Sequence, residues 1–397
     1  MKQHTRITAA AALVAGISLF ASACATPSTD TGNSSEPPAG DASARVAVAY
    51  ENGIAVLDGT TLEVIQEFAT EEFTRVNPFG DGRHIAVSTS KGFQLLDTET
   101  PELTDLVFDA SAPGHVVTHH GKTVLFDDGT GTTTIMESDA LLDDNSALPE
   151  STTYTAPVAH HGVSIVLEDG TLLTTLGDDT GRTGATALRA EGTQWSELAS
   201  SAECPGIHGE GTAANEAVIF GCEDGALLFR DGQFTKFAAP DAYGRMGNAF
   251  VAESSPIVVG DYKSDPDAEG YLLNAITLIN TETDSYEVVT LPENVRYTFR
   301  DLARGPADLA YILSTDGSIH VLDPNTGEIT DSFPVVDAWE GPADWQDAHP
   351  AIKVNGNIAY VTEPATNSIH AVDLTTGETV ATTSFEFTPN EIAIALG

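Results

Sequence analysis

Short apolar runs of four to six residues recur along the chain, separated by Asp-Gly, Asn-Gly and Thr-Gly turns. This spacing predicts many short antiparallel strands. No helical 3.6-residue period stands out beyond the first 24 residues. Phrases also repeat at long intervals. Gly53-Ile-Ala-Val-Leu-Asp58 is echoed by Gly92-Phe-Gln-Leu-Leu-Asp97. Ser318-Ile-His-Val-Leu-Asp323, followed by Thr326-Gly-Glu328, returns as Ser368-Ile-His-Ala-Val-Asp373 with Thr376-Gly-Glu378. A period of roughly 40 to 50 residues with about four strands per unit is the signature of propeller blades. One small twisted sheet cannot bury both of its faces, and packing blades in a ring does so.

The fold expected is therefore all-β, a single β-propeller of eight blades. Inner strands are expected to begin near Arg75, His115, Ala156, Ile207, Asn248, Phe299 and Ala351, with Pro389 to Leu396 as the eighth. That last strand lacks outer partners, whereas Arg45 to Phe68 supplies outer strands without an inner one. Joining the two closes the ring with the C-terminal strand. Seven blades is the alternative, because the Asn248 to Pro292 stretch is irregular.

The N-terminus reads differently. Lys2 and Arg6 precede an apolar run from Ile7 to Phe20, and Ala21-Ser22-Ala23-Cys24 follows. Residues 1–23 are read as a secretory signal peptide, the run being short for a membrane span. The cysteine after small residues resembles the lipobox of bacterial lipoproteins, with Cys24 as the lipidation site. Ala21 stands where that motif usually has Leu, and the alternative is an ordinary cleaved signal with a soluble product. Residues 24–44, rich in Ser, Thr, Pro, Gly and Asp, make a flexible tether. Residues 45–397 form the propeller domain. The expected location is the outer face of the cell membrane, periplasmic or extracellular, held by the lipid anchor only.

Cysteine usage and charge agree with export. Cys204 and Cys222 remain beyond Cys24, and in an oxidising compartment an isolated pair reads as a disulfide. The formal net charge is −42. Loss of residues 1–23 removes Lys2 and Arg6 and no acid, which takes the chain near −44. Nucleic acid is excluded as a partner, and so is docking on anionic lipid by charge alone. A monomer is expected.

Histidines are the candidate chemistry. Pro113-Gly-His115-Val-Val-Thr-His119-His120-Gly121 lies in the third blade, Ala159-His160-His161-Gly162 in the fourth and Cys204-Pro-Gly-Ile-His208-Gly-Glu210 in the fifth. Both His-His-Gly triplets precede an Asp-Gly turn at the same offset, Asp128-Gly129 and Asp169-Gly170. Inner strands of consecutive blades surround one channel, so imidazoles 40 or more residues apart can meet there. Zinc takes three or four nitrogen, sulfur or carboxylate ligands at about 2.0–2.3 Å, and Glu210 or a channel aspartate could complete a tetrahedron. Adjacent residues of a strand face opposite ways, so one histidine of each pair is expected to be a ligand. The alternative is a duplicated structural feature. His320 and His370 read as repeat positions, and Trp339 and Trp345 as loop residues packed over the rim.

These motifs together with Gly221-Cys-Glu-Asp-Gly225, Asp241-Ala-Tyr-Gly-Arg245, Asp261-Tyr-Lys263 and Leu302-Ala-Arg-Gly-Pro306 resemble bacterial zinc metallochaperones of the AztD type. The resemblance covers the mature domain from about Arg45 onward. It implies a propeller that binds Zn²⁺ and passes it to the solute-binding protein of an ABC-type zinc importer. By position it implies zinc ligands among His115, His119, His120, His160, His161 and His208. One departure stands out. Similar proteins often carry a mobile His- and Asp-rich loop after the second blade, whereas Asp97-Thr-Glu-Thr-Pro-Glu-Leu103 has no histidine. The leading expectation is a zinc-binding carrier rather than an enzyme. The alternatives are a metal-dependent, lactonase-like propeller hydrolase and a metal-free interaction propeller.

Overall fold

The apolar runs fold as strands, and groups of four antiparallel strands make eight sheets among the described residues, one of them with a short fifth strand, Gly244–Arg245, added in parallel. The computed structural model describes residues 44–395 apart from 144, 179–180, 268–271 and 343. The expected signal peptide, the lipidated Cys24 and all of the tether before Ala44 lie outside the described residues.

The sheets are the blades of an eight-bladed β-propeller. Blade 1 is assembled from both ends of the chain. Its outer strands Val64–Ala69, Gly53–Asp58 and Arg45–Tyr50 are completed by the inner strand Pro389–Ala395. Val46 pairs with Ile394 and Val48 with Ile392, which closes the ring as expected. Across the seam, the Tyr360 hydroxyl of blade 8 donates to the Gly59 carbonyl at 2.7 Å.

The other inner strands are Val76–Pro78, Pro113–His119, Ser164–Val166, His208–Ala213, Ala249–Phe250, Leu302–Arg304 and Ala351–Asn355. Six begin within three residues of their expected starts. Blade 4 does not. Its inner strand starts at Ser164 rather than near Ala156, because Pro157 through Val163 form bends and extended backbone outside any ladder. The irregular Asn248 to Pro292 stretch is a full blade of four strands, Ala249–Phe250, Ile257–Asp261, Ala275–Asn280 and Ser285–Thr290. The seven-blade alternative is thereby set aside.

Burial follows the position of a strand within its blade. Ala217–Cys222, second from the channel in blade 5, is buried at every residue, since neighbouring blades cover both faces. The outermost strand of blade 1, Val64–Ala69, is exposed at nearly every position. The apolar core is therefore divided among the seams between blades. One cluster runs continuously through blades 3, 4 and 5, from Val117 and Val124 through Ile165 and Leu173 to Ile207 and Phe220. Truncating a fully buried ring such as Phe220 to alanine costs about 3–5 kcal/mol. This seam backs the three inner strands that carry the candidate histidines, and the disulfide Cys204–Cys222 lies within it.

Candidate metal centre

His115, His161 and His208 come from three consecutive blades and meet at the end of the channel where the inner strands begin. One ring nitrogen from each lies within 4.8 Å of the others. Their ring centroids are 5.1 to 5.3 Å apart.

Each ring is placed by a local feature. His115 is the third residue of Pro113–His119 and lies within a register shift between Pro113 and Val116. His161 sits in the irregular approach to blade 4, and its Nδ1 is 2.5 Å from Asp128 Oδ2 of blade 3. The other Asp128 oxygen accepts from the Gly162 amide at 3.2 Å. His208 opens its strand just before a register shift at Gly209. Gly209 has φ +60°, and a Cβ there would meet the Gly247 carbonyl at 2.4 Å. That same carbonyl lies 2.6 Å from His208 Nδ1. The Gly247–Asn248 backbone is fixed in turn by buried Asp261, whose Oδ1 accepts both amides, at 2.5 and 3.1 Å.

These contacts decide the tautomers. A carbonyl oxygen only accepts, so His208 Nδ1 carries the proton and Nε2 bears the lone pair. The carboxylate of Asp128 selects the same tautomer in His161. The two Nε2 atoms then face each other at 3.1 Å. Two lone pairs at that distance repel unless a proton or a metal ion lies between them. Burial, with Arg182 and Arg245 nearby, pulls His208 down to about 4, while the Gly247 carbonyl opposes the shift. Burial and the other two histidines hold His115 well below the ordinary imidazole value. The protonated forms are disfavoured and metal-ready nitrogens remain. A tetrahedral zinc with bonds of about 2.0–2.1 Å holds its ligand nitrogens roughly 3.3 Å apart, close to this spacing.

A second group forms at the opposite end of the same inner strand. His119 is four residues beyond His115, about 13 Å along a strand. His119 Nε2 is 2.8 Å from Glu216 Oε1, and His120 Nε2 is 3.4 Å from the same oxygen. Glu253 stands 4.0 Å from His119 Nδ1. Glu216 is held by the Glu168 amide, which donates to its second oxygen at 2.9 Å. Both histidines of this pair converge, contrary to the one-per-pair expectation. The strand ends at His119, and His120 turns with φ +43°, so the alternation of faces no longer applies.

The structure brings His160 to neither group. It is buried, with Nδ1 2.9 Å from the Val158 carbonyl and Nε2 2.9 Å from Thr175 Oγ1, and its ring lies against Phe126. The two His-His-Gly triplets are thus not spatial equivalents. His119-His120-Gly121 ends an inner strand, whereas His160-His161-Gly162 precedes one. Glu210 lies outside both groups, and burial pushes it up to about 7. Cys204 and Cys222 are disulfide-bonded as expected. Sequence reasoning missed Glu216, and it took Asp128 only as a turn residue. Among 59 acidic residues neither carries a distinguishing local signal.

No family profile matches the chain. The zinc chaperone AztD of Citrobacter koseri is 27% identical over 304 residues, covering 76% of this chain and 70% of that protein. Two solved structures of Citrobacter koseri AztD, one of them the apo form, share its fold with TM-score 0.71 at 22% identity. They cover 88% of this chain and 96% of theirs. Dihydro-heme d1 dehydrogenase NirN in complex with DHE is a more distant likeness, with TM-score 0.59 and 12% identity over 89% of this chain and 76% of that one. The resemblance to AztD-type proteins drawn from the motifs is borne out by the first relative, and the solved structures agree with the propeller fold.

Proposed function

We propose that this chain is an extracytoplasmic zinc metallochaperone that holds Zn²⁺ at His115, His161 and His208 and delivers it to the solute-binding protein of an ABC-type zinc importer. The observation that carries this reading is the facing pair of Nε2 lone pairs on His161 and His208, each ring locked from behind by an acceptor. A proton or a metal ion resolves that arrangement, and three imidazoles suit zinc. Zinc is cargo here. Three protein ligands leave one tetrahedral position for a group of the partner, the requirement for hand-over by ligand exchange.

His119, His120 and Glu216 form a second holding group at the other end of the channel. His120 is exposed and Glu253 can swing toward it, so this group is the more accessible of the two. Lipidation at Cys24 would keep the carrier at the membrane beside its importer. The disulfide suits an oxidising compartment.

The test is zinc content after dialysis and challenge with a moderate chelator, measured by plasma mass spectrometry on residues 25–397. Retained zinc that falls by one equivalent in His161→Ala/His208→Ala supports the reading. Transfer to the purified solute-binding protein is then followed by metal content after separation. A wild-type chain that retains no zinc overturns the reading.

A further inference from the structure

Across the channel from the histidine triad, and at the same end, charged side chains from blades 7, 8, 1 and 2 converge. Glu391, third residue of the inner strand of blade 1, is 2.8 Å from Arg300 and 3.5 Å from Arg75. Arg300 also donates to Asn390 Oδ1 at 2.6 Å and to the Trp345 carbonyl at 3.0 Å. Lys353, third residue of the inner strand of blade 8, shares the field of Arg75, Arg300 and Glu391. The Trp345 ring covers the group, 5.6 Å from the Arg75 guanidinium and edge-on to Phe73.

The charges do not balance. Three cations face one carboxylate, in a chain whose net charge is −42. Asp301, next in sequence to Arg300, does not correct this. Its Oδ2 accepts from the Thr298 amide at 2.6 Å, and burial pushes it up to about 8, so it stays protonated near neutrality. His349, beside Arg300, is held neutral by burial, at about 4. Polar atoms without a hydrogen-bond partner gather at the same place: Nε of Arg300, Nε2 of His349, Oε1 of Glu391 and Nε of Arg75, whose contact with Glu391 is the 3.5 Å ion pair alone. Arg300 and His349 are only 8% and 2% exposed. The Arg300 Nε–H is a donor, and a buried donor of this kind normally has a partner; the His349 Nε2, whose Nδ1–H donates to the Asp347 carbonyl, is a lone-pair acceptor.

We propose that Arg75, Arg300 and Lys353 form an anion site for a small, doubly charged oxyanion, such as sulfate, hydrogen phosphate or a short dicarboxylate. The excess of two positive charges matches such an ion. Guanidinium forks pair with two oxygens of one oxyanion, which a spherical halide does not offer. The site belongs to other blades than the zinc ligands and does not depend on the zinc reading.

Calorimetric titration of the zinc-free mature chain tests this, with sulfate, phosphate and succinate each compared with chloride at matched ionic strength. One equivalent of at least one divalent oxyanion should bind, and Lys353→Gln should weaken it at least about tenfold, as loss of one charged hydrogen bond implies. Arg75→Gln should do the same. Lys353 is exposed and, among the described residues, makes no ion pair that the fold relies on, so its variant is expected to fold, and thermal unfolding without anion checks that. Relative affinities for succinate and the inorganic ions identify the source of the ligand. No binding of any of the three, or equal binding by wild type and both variants, overturns the proposal. Zinc stoichiometry on the same samples should be unchanged in Lys353→Gln, which separates this result from the fate of the zinc site.

Discussion

His208 Nε2 lies 3.1 Å from His161 Nε2, although 47 residues separate them and neither ring is free to turn away. Gly247 holds one from behind and Asp128 the other. Replacing both histidines by alanine should remove zinc from this group while leaving His119, His120 and Glu216 intact. His160→Ala should instead leave zinc affinity nearly unchanged, because both nitrogens of that ring are occupied elsewhere. Competition titration of zinc on the three proteins distinguishes these outcomes.

Asp128 acts through His161. Its carboxylate orients the ring and fixes its tautomer, and outer partners of this kind are worth about 10–100-fold in metal affinity. Asp128→Asn should weaken zinc binding by that order with little change in unfolding temperature. A loss of fold together with affinity would assign Asp128 a structural role instead.

The depressed values of His115 and His208 bear on acid resistance. His208 takes up a proton only near about 4, and His115 is held well below the ordinary imidazole range. Protons therefore compete with zinc at these two ligands only well below pH 6.5, the usual imidazole value. Zinc binding by the triad should stay nearly level from pH 7.5 to 6.5 and decline at lower pH. Zinc affinity measured across that range in a non-chelating buffer checks this.

Glu210 and Asp301 set the opposite limit in the zinc-free chain. Burial raises them to about 7 and about 8, above their unfolded values. A raised carboxylate value means that the folded form binds more protons, so its stability is lost as pH rises through that value. Unfolding temperature should fall between pH 6.5 and 8, and Asp301→Asn should flatten the decline. A wild-type profile that is level or rising over this window would exclude the effect.

The Cys204–Cys222 disulfide closes a loop spanning 18 residues and anchors the segment that leads into His208. In the loop-entropy account a closure of this size stabilises by about 3 kcal/mol. Serine at both positions should lower stability by about that amount in chemical denaturation. Because Gly221 pairs with His208 beside the bond, zinc affinity should fall as well.

Much of the architecture was legible because its determinants are local. Alternation, turn glycines and the returning Ile-His-Val-Leu-Asp phrase marked the strands, and the unpaired ends at Arg45 and Pro389 implied closure. Blade 4 was misplaced because the stretch from Ala156 to Val163 reads as the next inner strand yet joins no strand ladder, its hydrogen bonds being isolated ones. His208 and His161 were named as candidates, but so was His160, and nothing in adjacent identical residues ranks them.

What the sequence determined by itself was the period: four short strands per unit, repeated until the two ends of the chain share a blade. That follows from side-chain alternation and turn chemistry, which act over a few residues. Tertiary structure decided which histidines meet. Two identical His-His-Gly triplets at the same offset from an Asp-Gly turn landed at opposite ends of their inner strands, because the turn closes the second and third strands in one blade and the first and second in the next. His115, His161 and His208 converge only because three inner strands line one channel, and their rings are aimed by Asp128 and Gly247, residues distant in sequence and near only in the closed ring.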